Sequence, residues 1–104
     1  MAFNPAPNAL FTSWSEDGTD ITVPIASITD LTAGEADGTT GDWRAVLLRI
    51  LGHSFNYNEG LADADRPTKL TIARQRFENA ERKIVERYTF EFVTDTDANS
   101  MTAE

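Results

Sequence analysis

The chain has 104 residues, a formal charge of -8 and no cysteine, so one small domain is expected, with no disulfide framework, thiol nucleophile or thiolate metal site. All nine basic residues lie between Arg44 and Arg87, while the first 43 residues hold seven carboxylates and no positive charge. The acidic balance argues against binding nucleic acid through its phosphates, and the opposite-sign segments suit a protein that works by contact with copies of itself or with another surface.

Residues 1–8 contain Pro5 and Pro7 and have no ladder pattern, so an extended N-terminal arm is expected there. The opening Met1-Ala-Phe-Asn-Pro5 has no basic region and no apolar run, and Ala45 to Leu48 is too short to span a bilayer. A soluble protein made without a signal follows as an expectation. Leu10 to Ile25 reads as a hairpin about Asp17-Gly18, a dipeptide suited to a two-residue turn. That turn sets Trp14 opposite Ile21, Thr12 opposite Val23 and Leu10 opposite Ile25.

Thr32-Ala-Gly-Glu35 has capping-box spacing and predicts a short helical turn, interrupted by Gly38. Thr39-Thr-Gly-Asp42 then begins the one long helix, whose apolar stripe is Trp43, Val46, Leu47, Ile50, Leu51, Ser54 and Tyr57. Arg44, Arg49, His53 and Asn56 fall off that stripe, and Asn58-Glu-Gly60 ends the helix.

After a polar link from Ala62 to Pro67, Thr68 to Phe77 and Ile84 to Thr94 alternate with period two and predict a second hairpin turning near Glu81. Its register pairs Leu70 with Phe92, Ile72 with Phe90, Arg74 with Tyr88 and Arg76 with Glu86 on one face. The other face carries Thr71/Glu91, Ala73/Thr89, Gln75/Arg87 and Phe77/Val85. Residues 95–104 form a polar C-terminal tail that cannot fold alone. The expected fold is therefore α+β: one long amphipathic helix packed on antiparallel hairpins, a single domain over 9–94 flanked by extended arms.

No catalytic group, cofactor site or metal site is expected. His53 is the single histidine, has no nucleophile or ligand cluster around it, and reads as a helix-surface residue. Asp95-Thr-Asp97-Ala-Asn99 copies the first ligand positions of a calcium loop, but Ser100 stands where that loop needs glycine. Gly38-Thr-Thr-Gly41 precedes a helix, yet no lysine follows, and Asp37 and Asp42 would repel an anion. Arg74, Arg76, Arg82, Lys83 and Arg87 are interleaved with Glu78, Glu81, Glu86 and Glu91, so they read as cross-strand ion pairing in preference to a nucleic-acid stripe. The N-terminal Phe3, Pro5, Pro7, Phe11 and Trp14 are the interaction candidates, as apolar anchors for a neighbour or else as closure of the domain's own core.

The run from Leu31-Thr-Ala-Gly-Glu through Gly41-Asp-Trp-Arg44, the helix after it, Arg66-Pro-Thr-Lys-Leu-Thr-Ile72 and Arg87-Tyr-Thr-Phe-Glu-Phe92 resemble small virion structural proteins of tailed phages, those of cyanobacterial phages in particular. The resemblance covers roughly residues 28–93 and is one of element pattern. It implies a non-enzymatic particle component made in the host cytoplasm, either a small tail component or a capsid decoration (cement) protein on the capsid exterior. The latter is the leading expectation, with the major capsid protein and sister subunits as partners. No nucleic acid, membrane or small-molecule substrate is implied. A small tail or neck protein is the first rival, and an acidic DNA-mimic inhibitor a second, which the interspersed basic residues weaken.

Overall fold

A computed structural model describes residues 6–66 and 69–93. Its elements run α1 (Pro7–Leu10), β1 (Ser15–Glu16), β2 (Ile21–Thr22), α2 (Ala33–Ala36), α3 (Trp43–Gly60), β3 (Leu70–Glu78) and β4 (Ile84–Phe92), with single 3-10 turns at Ile25–Ser27 and Asp63–Asp65. One long helix and two antiparallel two-stranded sheets make it an α+β protein. By its internal contacts the chain divides after Gly60 into two compact units.

In the first unit, the expected extended arm is instead helical from Pro7. Proline at the first helical position lacks only an amide that would have no intrahelical acceptor, and its fixed φ suits the turn. The Asn8 side chain accepts the Ser13 amide at 2.6 Å, which holds the exit of this turn where Ser13 takes a left-handed φ of 67°. Phe3 and Pro5 lie outside the described residues, as does the tail beyond residue 93.

The first hairpin forms at the expected place with a longer turn than expected. Ser15 pairs with Thr22 and Glu16 with Ile21, so residues 17–20 form the turn and Leu10, in α1, has no strand partner. The cause is the Asp17 carboxylate, whose Oδ1 accepts the amides of Thr19 at 2.8 Å and Asp20 at 2.6 Å. Gly18 supplies the positive φ of 91° that this closure needs.

Thr32 and Glu35 form the expected capping box, each side chain accepting the other's backbone amide at 3.1 Å. The helix is one turn long. The chain then reverses tightly: Asp37 Oδ1 accepts the amides of Thr39 and Thr40, both at 2.8 Å, and the Gly41 amide returns to the Asp37 carbonyl at 3.0 Å. Asp42 caps α3 through the Arg44 amide at 2.9 Å, standing just before the helix that begins at Trp43.

The second unit is built on the β3–β4 hairpin. Its observed register is the expected one at every pair from Leu70/Phe92 to Phe77/Val85, extended by Glu78/Ile84. Asn79 closes the connection by accepting the amides of Glu81 and Lys83, while Arg82 takes the left-handed position with φ 63°. Arg76 meets Glu86 at 2.6 Å, and the Arg87 guanidinium lies 5.1 Å from the centroid of the Phe77 ring. Ile72 is the buried residue of this hairpin.

Candidate functional site

The first unit is closed around His53 and Phe11. Phe11 is 7% exposed and stacks on the His53 ring, with centroids 4.8 Å apart, and on Trp14 at 6.1 Å. His53 Nε2 lies 2.7 Å from the Leu10 carbonyl, and its Nδ1 accepts the Thr29 amide at 3.3 Å, with Thr29 Oγ1 at 2.9 Å. Because a backbone amide can only donate, Nδ1 is the acceptor and Nε2 carries the proton that Leu10 receives. The surface histidine of the sequence expectation is therefore a packed one, a clamp between α3 and the segments carrying Leu10, Phe11 and Thr29.

The structure describes three of the N-terminal candidates. Phe11 is a core residue, Trp14 is half-buried beside it, and Pro7 opens α1. The sequence shows no period linking Phe11 to His53, 42 positions apart, and only the fold brings them together.

The acidic run is a set of caps and turn closures. Arg49 reaches Glu35 at 3.2 Å and holds its carboxyl below the ordinary range, aided by the Thr32 amide. The amides of Thr40 and Thr39 do the same for Asp37, the Arg44 guanidinium and amide for Asp42, and the amides of Asp20 and Thr19 for Asp17. Glu16 accepts the Gly18 amide at 2.7 Å. Five of the seven N-terminal carboxylates, Glu16, Asp17, Glu35, Asp37 and Asp42, thus accept backbone amides.

Several large apolar side chains are exposed, among them Trp43 and Leu47 of the helix stripe expected to face inward. Trp43 is 74% exposed at the start of α3, and Leu47, one turn on, is also exposed, as are Ile21 and Ile25. On the hairpin, Ile84 at 63%, Val93 at 61% and Phe92 at 58% stand open, with Phe77. Single exposed apolar residues are ordinary, but Trp43 and Leu47 lie one turn apart on one helix face, and Ile84 and Phe92 stand at the two ends of β4. A signal for Trp43 was present in the sequence: it directly follows the capping Asp42, at the end of the stripe where the helix has least around it.

Among the described residues, no group of three or more His, Asp or Glu side chains is placed to hold a metal ion, and no helix is long and apolar enough to cross a membrane. Comparison with protein-family models, with curated proteins and with solved structures finds no match.

Proposed function

We propose that this chain is a non-enzymatic virion structural protein, a capsid decoration (cement) protein that binds the exterior of a phage head and stabilises the junctions between major capsid protein subunits. The observation that carries the proposal is the display of large apolar side chains, Trp43 and Leu47 on α3 and Ile84, Phe92 and Val93 on the hairpin. Aromatic and aliphatic anchors of this kind dominate the energetics of protein interfaces. The likeness of residues 28–93 to small virion proteins of tailed phages selects the kind of assembly. A cement protein performs no chemistry; it acts by adding buried surface where neighbouring subunits meet, and an acidic N-terminal unit raises the rate of encounter with a basic surface without fixing the final affinity.

The test is a binding titration of the purified chain on undecorated capsids of a tailed phage, at low and high salt. Saturation at a fixed number of copies per capsid, with slower association but retained occupancy at high salt, is the expected result. Absence of saturable binding at either salt concentration contradicts the proposal.

A further inference from the structure

The outer edge of β4 is shaped to pair with itself. At the turn end of the hairpin the Asn79 amide donates to the Lys83 carbonyl at 2.9 Å, and at the open end the Val93 amide donates to the Lys69 carbonyl at 2.9 Å. Bonded and non-bonded pairs alternate along an antiparallel ladder. Val85, Arg87, Thr89 and Glu91 therefore turn their backbone groups toward β3, and Ile84, Glu86, Tyr88, Phe90 and Phe92 turn theirs to the outer edge. No other strand of the described residues pairs with that edge. A nine-residue strand with exposed apolar ends is a ready template for another strand.

We propose that β4 pairs antiparallel with β4 of a second copy of this chain, about a two-fold axis at Thr89, joining two hairpins into one four-stranded sheet. The outward set of backbone groups restricts the allowed registers to steps of two residues. In the register centred on Thr89, Arg87 faces Glu91 of the second copy, and the symmetry makes that ion pair twice. Val85 faces Val93 and Thr89 faces Thr89 on the same side, while on the other side Tyr88 faces Phe90 and Glu86 faces Phe92. Arg87, Thr89, Glu91 and Val93 are all exposed in the single chain. In the single chain Arg87 leans toward β3, donating one Nη1 bond to Gln75 at 3.3 Å and lying over the Phe77 ring, so pairing requires its exposed side chain to turn to the outer edge, where its fork can meet Glu91.

Neighbouring registers lack this match. One step toward Tyr88 sets Arg87 against Thr89 and Val85 against Glu91; one step toward Phe90 sets Arg87 against Val93 and Thr89 against Glu91. On the β3 edge a two-fold axis at Arg74 or Gln75 brings arginines together. An axis at Ala73 sets Arg74 on Ile72 and Arg76 on Leu70 with no ion pair, and an axis at Phe77 pairs Arg76 with Glu78 but overlaps only the last three residues of the strand. A long overlap together with a repeated ion pair therefore favours β4 over β3, and β3 is left as the outer edge of a closed dimer.

The chain has no cysteine, so a single one can report the contact. Residues facing each other in a non-bonded pair have Cα atoms about 4.5 Å apart, within disulfide reach. Thr89→Cys in the full chain should form a disulfide-linked dimer under mild oxidation at least about tenfold faster than Ala73→Cys, which sits opposite Thr89 on β3 and is also exposed. Sedimentation over a concentration series should show a species near twice the 11.5 kDa chain mass. Arg87→Glu and Glu91→Arg should each raise the dimer dissociation constant on the order of tenfold, and the double variant should restore it, since the exchange rebuilds both ion pairs. Equal cross-linking rates for the two cysteines, or a double variant no tighter than either single one, would overturn the proposal. It does not depend on the capsid reading, because every measurement uses the isolated chain.

Discussion

Gly41 lies so close to Glu35 that a Cβ added to it would stand 2.3 Å from the Glu35 carbonyl oxygen, and 2.6 Å from that of Asp37. The obstacle is backbone, which cannot swing aside as a side chain does. The same carbonyl of Glu35 accepts the Asp42 amide at 3.0 Å, so this contact joins the end of α2 to the cap of α3. Gly41→Ala should accordingly destabilise the first unit by about 2 kcal/mol or more. Gly38→Ala, where nothing lies within 4 Å, is the matched control and should change little. Denaturant melts of the two variants measure the difference.

The Phe11–His53 stack should appear as an energetic coupling. Phe11→Ala should cost about 3 kcal/mol, and His53→Ala about 1 to 2 kcal/mol through loss of the ring contact and the Leu10 bond. The double variant should cost less than the two together by about 0.5 to 1.5 kcal/mol. Strict additivity in a double-mutant cycle would show that the contact carries no stability.

Asp42 offers a prediction with a definite sign in pH. Its carboxyl is held below the ordinary value of 3.8 by the Arg44 guanidinium and amide. A group depressed in the folded state contributes stability above its unfolded value and loses that contribution as pH falls through the folded one. Asp42→Ala should therefore melt lower than the parent at pH 7, with the gap narrowing as pH drops below about 4. A gap that stays constant or widens in acid would contradict this role.

Arg82 occupies the left-handed position of the β3–β4 connection with φ 63°, a conformation in which its Cβ is crowded. Arg82→Gly should stabilise the second unit by about 0.5 to 1 kcal/mol, the gain being limited by the greater freedom of glycine in the unfolded chain. Thermal or denaturant melts decide the sign.

The long hairpin was fully legible in the sequence because alternation and charge agree: only one register sets Leu70 on Phe92 and Arg76 on Glu86 at once. The Thr32–Glu35 cap was legible for a similar reason, both partners lying within one turn. The short hairpin was not, since a single carboxylate oxygen of Asp17 converts the two-residue turn into a four-residue one. The helical turn at Pro7 was hidden because proline is equally suited to an extended arm and to a first helical position. For the candidate surface, periodicity marked Trp43 and Leu47 as apolar stripe but carries no information on whether anything covers a given stripe position. The clamp at His53 depends on Leu10, Phe11 and Thr29, all distant in sequence, and no local pattern encodes it.

The central claim, that this chain acts by stabilising the junctions of a capsid, is tested most directly by heating capsids with and without it. Undecorated capsids saturated with the full chain should disrupt at a temperature several degrees above that of the same capsids alone, as expected for a ligand that binds the assembled state. Trp43→Asp, a change at an exposed position outside the clamp, should lower that gain. Equal disruption temperatures with and without saturating wild-type chain would contradict the account.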